Sequence, residues 1–335
     1  MNKDLKYIAY LTEEVSKGNF SQSFKELSLD DLHTNDILIK VKWSSLNYKD
    51  ALSAKGHRGI TRNYPHTPGV DAAGFVVKSD SAEIKVGEEV IVTGHDLGMN
   101  TMGGFAEYVS VPKDWIVKLP TGLTLRDSMI YGTAGITAAI CIDQLLKHNL
   151  EPQKSRILVT GATGGVGSMS VAILNKIGFE VIASTGKLDK ANFLKNIGAT
   201  EVIHRDEVYD TTGKPLLKKR WEGAIDTVGG NTLSTVIRST NHHGSVCVVG
   251  LVESPELKLN VFPFLQRGVS VLGIDSAERG IGIKRELWKN LASDWKPECL
   301  NEMVKEVNLT DIQKEIVAIL EGKQVGKTLI NCEVH

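Results

Sequence analysis

The second half of this 335-residue chain alternates short apolar segments with stretches whose apolar residues recur at helical spacing. Six apolar segments have the length of buried strands: residues 156–160, 180–185, 201–204, 223–228, 244–250 and 269–274. Amphipathic helical patterns lie between several of them, for example at residues 187–197 and 232–241. Because strands that alternate with helices pair in parallel, this pattern predicts an α/β domain built on a doubly wound parallel sheet.

The first part of the chain shows a different pattern, in which strand-like segments follow one another with almost no helix between them. These segments are residues 6–11, 37–43, 74–78, 89–93 and 105–111, separated by turns rich in Gly, Pro, Asp and Ser. The pattern predicts a mostly antiparallel, barrel-like β domain. One helical exception is predicted, a capped turn at residues 44–52 whose polar residues follow the end of a strand.

The C-terminal segment is too short to form a core of its own. Its pattern predicts helices at residues 285–293 and 309–320 and a last strand at 326–331. We therefore expect this segment to rejoin the β-rich domain. The predicted β-rich domain comprises residues 1–125 and 277–335, and the predicted parallel-sheet domain comprises residues 126–276.

A glycine-rich turn, GATGGVG at residues 161–167, joins the first strand of the predicted parallel sheet to the helical pattern that begins near Ser168. Glycines at such a junction let backbone N–H groups and the positive end of the helix approach a phosphate closely. The turn therefore predicts a dinucleotide-binding site. The alternative interpretation is a purely structural turn, which the alternation of strands and helices around it disfavours.

The end of the second predicted strand bears on which dinucleotide is bound. NAD-binding sites of this type place a carboxylate there for the ribose 2′-hydroxyl, whereas NADP-binding sites supply cations for the 2′-phosphate. This chain has Ser184, Thr185, Gly186 and Lys187 at that point, and Arg205 follows the third strand. The missing acid and the two cations favour NADPH over NADH. The alternative is that Lys187 and Arg205 are ordinary solvated surface charges.

Charge and composition disfavour several classes of function. The chain has 39 Lys and Arg against 40 Asp and Glu, so its net charge of −1 gives no basic excess for nucleic acid. The N-terminal residues lack the apolar core of a signal peptide, and no uninterrupted apolar run approaches membrane-spanning length. We therefore expect a cytoplasmic protein that acts on a small molecule and binds no membrane. The 4 cysteines are scattered without a CxxC pair, which predicts neither a disulfide framework nor a zinc knuckle.

Several ordered motifs together carry a resemblance to a known family. They are PGVDAAG at residues 68–74, VGEEV at 86–90, GFAEY at 104–108 and ATGGVG at 162–167. In these motifs the chain resembles a medium-chain dehydrogenase/reductase of the quinone oxidoreductase type over nearly its whole length. The resemblance implies a Rossmann NADP-binding domain and a discontinuous GroES-like β-barrel catalytic domain. More narrowly, SLNYKDA at 45–51 and Asp275-Ser276 are similar to the YhdH/YhfP branch, whose better-understood members reduce acryloyl-CoA with NADPH.

The resemblance also bears on metal binding. Zinc alcohol dehydrogenases place a Cys where this chain has residues 46–48 and a His-Glu pair where it has Val70 and Asp71, and they carry a second cluster of cysteines. None of these ligands is present in the sequence, so we expect no metal site and no alcohol oxidation through a metal alkoxide. Asp71 is then expected to be a structural acid that binds nearby backbone.

Asn47 and Tyr48 are the catalytic candidates, because an amide or phenol at a strand end can donate to the nicotinamide carboxamide or to a substrate carbonyl. Asp50 is expected to orient their turn. The alternative is an ordinary helical turn with a half-buried aromatic. Lys327 has two interpretations, a contact to substrate phosphate or thioester and a solvated surface charge. The resemblance to the branch implies that the NADPH site is lined by Tyr48, Thr163, Gly164, Gly165, Val166, Thr185, Gly186, Lys187, Arg205, Leu251, Leu265 and Ser276.

Three functional hypotheses follow from these features. The first is a zinc-independent, NADPH-dependent reductase of the activated C=C bond of a small electrophile, such as the short enoyl-CoA acryloyl-CoA. The second is an NADPH-dependent quinone or enal reductase. The third is a catalytically silent NADPH-binding regulatory or structural protein. We also expect a homodimer joined through the apolar edge strand at residues 269–274, because an unpaired apolar edge is a liability.

Overall fold

The structure is a computed structural model that describes residues 5–32 and 35–333 of the chain. Its strands are β1 (Lys6–Ser16), β2 (Asn19–Ser28), β3 (Ile37–Leu46), β4 (Asp71–Ser79), β5 (Glu89–Thr93), β6 (Tyr108–Val111), β7 (Val117–Lys118), β8 (Arg156–Val159), β9 (Glu180–Thr185), β10 (Glu201–His204), β11 (Trp221–Asp226), β12 (Thr240–Val248), β13 (Ser270–Gly273), β14 (Val304–Asn308) and β15 (Lys327–Asn331). Its α-helices are α1 (Tyr48–Ala54), α2 (Leu125–Lys147), α3 (Gly165–Lys176), α4 (Ala191–Asn196), α5 (Gly230–Ser239), α6 (Phe262–Arg267), α7 (Ile281–Ala292) and α8 (Ile312–Leu320). Short 3-10 segments lie at Leu29–Asp31, Lys113–Trp115, Leu188–Lys190, Arg205–Val208, Leu300–Met303 and Leu309–Asp311.

Six strands form a wholly parallel sheet in the order β10-β9-β8-β11-β12-β13. All six predicted segments form strands of this sheet, and their order confirms the predicted doubly wound topology. Counted from β8, the order is 3-2-1-4-5-6, so the direction of winding reverses between β8 and β11. Ligands of such sheets bind outside the carboxyl ends of the strands at the point of reversal. The residues that follow β8 and β11 are therefore the expected place for a site.

The strands of this sheet form because apolar side chains on them are buried beneath helices. Leu158, Ile182, Ala224 and Val246 on four of the strands are exposed by 2% or less, and Val236 of α5 packs in the same cluster. Burying a Val, Leu or Ile side chain stabilises a fold by about 1.5–3 kcal/mol. Burial on both faces also explains why these parallel strands are continuous apolar runs in the sequence.

A seven-stranded sheet organises the β-rich part of the chain. Its order is β14-β15-β3-β4-β5-β7, and β6 also pairs with β3. The pairings are antiparallel except that of β14 with β15. β1 and β2 form a separate antiparallel hairpin. The core of this part includes Ile37, Ile39, Val90, Val109 and Ile330, so the C-terminal segment contributes both a strand and core residues to the β-rich fold.

The end of β3 differs from the prediction. The sequence predicts a helical turn from residue 44, but β3 continues to Leu46, and α1 begins only at Tyr48. Ser44 and Leu46 pair with Ile330 and Thr328 of β15. A partner strand from the far end of the chain therefore holds these residues extended, and no local pattern signals that pairing.

The chain divides into two compact units. The first comprises Met1–Thr133, Ala277–Ala292 and Val304–His335, and the second comprises Ala134–Ser276 and Ser293–Met303. This division differs from the predicted boundaries in two places, because residues 126–133 lie in the first unit and residues 293–303 in the second. Helix α2 is kinked at Gly132, whose φ is 49°; its residues 125–133 belong to the first unit and its residues 134–147 to the second. It is apolar and long enough to span a membrane by length and composition, but 83% of its most apolar window is buried in the fold, which explains its apolar character.

Candidate active site

The glycine-rich turn lies at the carboxyl end of β8 and leads into α3. Gly161 has a φ of 58°, and a Cβ built on it would lie 2.3 Å from Thr227 Oγ1, so a side chain does not fit there. A hydrogen bond of 2.9 Å from Gly164 N to Gly161 O closes the turn. The first amide groups of an α-helix have no partner within the helix and are the donors that a phosphate uses. The turn and the start of α3 contain the predicted contact residues Thr163, Gly164, Gly165 and Val166.

A buried acid on the neighbouring strand, Asp226, fixes this turn. Asp226 ends β11 and accepts hydrogen bonds from Thr160 Oγ1 and Gly229 N, both at 2.7 Å. Thr227 N and Oγ1 in turn donate to Thr160 Oγ1 and O at 3.0 and 2.9 Å. Burial raises the pKa of Asp226 to about 6. Asp226 is not among the residues predicted from the sequence, although an acid at the end of an apolar strand of the nucleotide-binding sheet is a signal that could have marked it.

The end of β9 carries the residues predicted to distinguish NADPH from NADH. Thr185 is buried, its Oγ1 lies 3.3 Å from Thr163 Oγ1, and it accepts a hydrogen bond of 3.0 Å from Lys187 N. Arg205 lies against Gly186, since a Cβ there would be 3.0 Å from the Arg205 Cδ. The Arg205 side chain is 75% exposed, and partial burial lowers the pKa of Lys187. The structure thus brings the glycine turn, the strand end and Arg205 together.

Three further predicted contact residues lie later in the second unit. Leu251 follows β12, Leu265 belongs to α6, and the two side chains are 66% and 78% exposed. Ser276 is partly buried and is the last residue before the chain re-enters the first unit. The exposed leucines are accessible to a ligand, and the contact of all three residues with NADPH stays a prediction.

The catalytic candidates lie where β3 meets α1 in the first unit. Asn47 has an extended backbone with φ −121° and ψ 161° and is the N-cap of α1, so Tyr48 is the first helical residue. The buried carboxylate of Asp50 accepts hydrogen bonds from Asn47 N at 2.8 Å and from Val70 N at 2.9 Å. Tyr48, in contrast, is 47% exposed. Asp50 therefore fixes the turn that presents Tyr48 at the surface of this unit.

The Asp71 carboxylate is the centre of a buried hydrogen-bond network next to this turn. It accepts from Ser45 Oγ at 2.6 Å, from Asn47 Nδ2 at 2.7 Å and from Thr133 Oγ1 at 2.6 Å. The Thr133 amide donates to both carboxylate oxygens at 2.8 and 3.0 Å. This approach requires Gly132, whose φ is 49° and where a Cβ would lie 2.5 Å from Asp71 Oδ2. Asp71 is thus a structural acid, but most of its side-chain bonds come from other side chains rather than from backbone.

Lys327 provides the positive charge of this network. It is 1% exposed, and its Nζ donates to Asn47 Oδ1 at 2.9 Å and to Leu46 O at 3.3 Å. Burial lowers the pKa of Lys327, and the charges of Asp71 and Asp50 oppose that shift. Burial, together with the charge of Asp71, raises the pKa of Asp50 to about 7. The interpretation of Lys327 as a solvated surface charge is therefore wrong, because its side chain is buried close to the charges of Asp71 and Asp50.

Asn47 is fully engaged in the network, which corrects its expected role. Its Oδ1 accepts from Lys327, and its Nδ2 donates to Asp71 Oδ2 at 2.7 Å, to Asp50 Oδ2 at 3.1 Å and to Ser45 O at 3.3 Å. A primary amide has only two N–H donors, so none is left for a substrate carbonyl. The structure makes Asn47 a positioning residue and leaves the phenol of Tyr48 as the candidate donor.

No group of three or more His, Cys, Asp and Glu side chains that could hold a metal ion occurs in residues 5–32 and 35–333. The position where zinc alcohol dehydrogenases have Glu holds Asp71, whose carboxylate is occupied by Ser45, Asn47 and Thr133. Zinc independence stays a prediction, which metal analysis of the purified protein would test.

Comparison with known proteins identifies the family. Residues 33–121 match the alcohol dehydrogenase GroES-like domain, and residues 165–294 match the domain described as zinc-binding dehydrogenase. YhfP of Bacillus subtilis, whose name assigns it to the quinone oxidoreductases, is 44% identical over 321 residues, which cover 96% of this chain and 97% of YhfP. The acrylyl-CoA reductase AcuI of Ruegeria pomeroyi is 38% identical over 319 residues, which cover 95% of this chain and 97% of AcuI.

Solved structures agree with the sequence matches. The YhdH oxidoreductase of Salmonella enterica, solved in complex with NADP, has a TM-score of 0.94 and 38% identity and covers 97% of this chain and 100% of its own. YhfP of Bacillus subtilis, solved with NAD bound, has a TM-score of 0.95 and 42% identity and covers 98% of this chain and 100% of its own. The chain therefore belongs to the quinone oxidoreductase and acrylyl-CoA reductase branch of the medium-chain dehydrogenase/reductase superfamily.

Proposed function

We propose that this protein is an NADPH-dependent reductase of the activated C=C bond of a small electrophile, and that its acceptor is a short enoyl-CoA such as acryloyl-CoA. The observation that carries the proposal is the exposed phenol of Tyr48, which a buried network presents at the start of α1. The similarity to AcuI over 95% of the chain supports a thioester acceptor.

The second unit fits a dinucleotide by the shape of its backbone. The glycine turn leaves no room for side chains at Gly161, and the amides of Gly165 and Val166 in the first turn of α3 would hold the diphosphate. Lys187 and Arg205 would bind the 2′-phosphate of NADPH, since no acid stands at residues 184–187. When bound, NADPH supplies the hydride that reduces the acceptor. Related proteins were solved with NADP and with NAD, so the preference for NADPH is part of the proposal.

The first unit would supply the polar group that activates the acceptor. Negative charge develops on the thioester carbonyl oxygen as the β-carbon is reduced, and Tyr48 Oη would donate a hydrogen bond to it. Because Asp50 and Asn47 fix the backbone of Tyr48 in advance, little orientation is needed during the reaction. The buried network would therefore act on the reaction only through Tyr48.

Replacing Tyr48 by Phe tests this role while keeping the ring. Loss of one such donor should lower kcat with acryloyl-CoA by roughly 100-fold. The melting temperature should stay close to that of the wild type, because the half-exposed Tyr48 side chain lies outside the core. A Tyr48→Phe variant with wild-type kcat would contradict the assigned donor.

A panel assay of NADPH oxidation tests the acceptor. We expect kcat/KM for acryloyl-CoA to exceed that for crotonyl-CoA, a benzoquinone and acrolein by at least about tenfold. Comparable efficiency with the benzoquinone and acrolein would support the second candidate, a quinone or enal reductase, which the name of the 44% identical YhfP favours. Tight binding of NADPH without turnover of any acceptor would support the third, a catalytically silent protein.

A further inference from the structure

The turn of the β1–β2 hairpin and the C-terminal end of α1 border a surface cavity of about 490 Å³ within the first unit. This volume lies within the range of small-molecule sites. Phe20 and Leu52 are partly buried and form an apolar floor. The exposed rim contains three cations, Lys17, Lys55 and Arg58, together with His57.

Arg58 is held in place by the protein itself. Its guanidinium donates to the Glu14 carboxylate and lies 5.4 Å from the ring centroid of Phe20 and 5.2 Å from that of Tyr64. Glu14 also accepts a hydrogen bond of 2.9 Å from Gly18 N. The Glu14 carboxylate is therefore paired with Arg58 and with the hairpin turn. Arg58, held by these contacts, is a fixed part of the cavity lining.

Lys17 and Lys55 differ from Arg58 in that no described acid pairs with their ammonium groups. Within residues 5–32 and 35–333, neither ammonium group has a hydrogen-bond or ion-pair partner, and both side chains are exposed. His57 is also exposed and accepts a hydrogen bond of 3.2 Å from Gly59 N through Nδ1. Uncompensated ammonium groups around an apolar floor suit a ligand that has phosphate groups and a flat apolar part.

Helix α1 connects this cavity to Tyr48. Tyr48 begins the helix and Lys55 is its C-cap, so the two residues are about 10 Å apart along the helix axis. We propose that the cavity binds the phosphoadenosine end of a CoA thioester, with the adenine against Phe20 and Leu52 and the phosphates at Lys17 and Lys55. The pantetheine arm of CoA would then run along α1 and bring the acyl group to Tyr48. The inference rests on the proposed function, since only a CoA acceptor joins an electrophile to a distant nucleotide.

Charge reversal at the rim tests the site. The cavity variant carries Lys17→Glu and Lys55→Glu, and the matched control carries Lys85→Glu and Lys113→Glu, two exposed lysines of the same unit that do not line the cavity. We expect the cavity variant to raise KM for acryloyl-CoA by roughly tenfold with kcat nearly unchanged, because two attractive charges become repulsive. The control should leave KM within about twofold of the wild type, since exposed charges that touch no ligand contribute little.

Truncated substrates distinguish the contribution of the nucleotide to KM from that of the acyl group. The KM for acryloyl-pantetheine, which lacks the nucleotide, should be the same in the wild type, the cavity variant and the control. Acryloyl-dephospho-CoA lacks only the 3′-phosphate. Its KM should rise less from the wild type to the cavity variant than the KM for acryloyl-CoA does. An unchanged KM for acryloyl-CoA in the cavity variant, or an equal rise with acryloyl-pantetheine, would overturn the site while leaving the proposed reductase intact.

Direct binding decides the site even if the proposed function fails. If the wild-type protein reduces no thioester, calorimetric titrations with CoA and with adenosine 3′,5′-bisphosphate are made on the same three proteins. CoA affinity that falls by roughly tenfold in the cavity variant and not in the control would support the site. No binding of CoA to the wild type would overturn it. Binding of the bisphosphate but not of CoA would identify a site for free nucleotides and would also overturn the assignment.

Discussion

Replacing Lys327 by Met tests whether one buried cation holds the network behind Tyr48 together. Met nearly matches the length of the Lys side chain but carries no charge and no donor. The substitution removes the hydrogen bonds of Lys327 Nζ to Asn47 Oδ1 at 2.9 Å and to Leu46 O at 3.3 Å. It also removes a positive charge that interacts with two completely buried acids, Asp50 and Asp71.

The loss of stability expected for Lys327→Met follows from the burial of these charges. Removing one partner of a buried charge cluster costs about 3–5 kcal/mol, because the remaining charge has no water to solvate it. The total stability of a domain is about 5–15 kcal/mol, so the loss is a large fraction of it. For a unit of this size, the melting temperature should fall by roughly 6–20 °C. The kcat with acryloyl-CoA should fall as well, because the turn that presents Tyr48 loses its support.

The free energy of unfolding from urea titrations gives the measurement, with Lys305→Met as the matched control. Lys305 lies on the adjacent strand β14, and its side chain is 63% exposed where it forms an ion pair of 2.6 Å with Glu315. Because water solvates the Lys305 ammonium, its loss should cost less than about 1 kcal/mol. Adding Asp50→Asn to Lys327→Met should restore part of the stability, since it removes one uncompensated carboxylate. If Lys327→Met costs no more than Lys305→Met, the assigned role of the buried ammonium is wrong.

Three other outcomes are expected. Arg205→Ala should lower kcat/KM for NADPH by roughly tenfold and leave that for NADH unchanged, because only NADPH offers a 2′-phosphate; equal losses would contradict the role of Arg205. Burial raises the pKa of Asp50 from 3.8 to about 7, so the folded state binds this proton more tightly than the unfolded state, and stability should fall as pH rises from about 4 to 7. Asp50→Asn should flatten that part of the stability profile measured by thermal melts, and a profile identical to the wild type would refute the assignment. We propose that two copies pair through β13, one of the two edge strands of the parallel sheet, where Val271 is 37% exposed. Sedimentation velocity should show a dimer that Val271→Lys converts to a monomer, and a wild-type monomer at micromolar concentration would exclude the pairing.

The parallel sheet could be predicted because its signal is local. Strands buried on both faces are apolar along their whole length, and glycine-rich or polar turns separate them. The hairpin strand β2 was missed for the opposite reason, since its residues are partly or fully exposed and give no apolar alternation. β14 was missed as well, because it has only two partly buried apolar residues, Val304 and Val307. Both strands form through pairing with a neighbour rather than through their own composition.

The network around Asp71 could not be predicted for a different reason. Its members come from four separate segments, and each looks ordinary in its own context: a Ser in a strand, a Thr in a helix and a Lys at a strand start. The sequence signals an irregularity at residues 131–135, which the structure explains as the site where the Thr133 amide reaches Asp71 past Gly132. It does not reveal that Lys327 meets Asn47, because only the pairing of β15 with β3 brings them together.

The side chain of Asn47 must both accept and donate hydrogen bonds, and this double role links the network into one unit. Lys327 offers donors on one side of it, whereas Asp50 and Asp71 offer acceptors on the other. A primary amide presents an acceptor and two donors in a single group, and a Gln would carry that amide one methylene farther from the N-cap backbone. An Asp here would face two further acids, and a Leu would leave all three charged groups without this partner. A substitution at any of these four positions should therefore weaken the hydrogen bonds among the other three residues, and it should lower kcat through the placement of Tyr48.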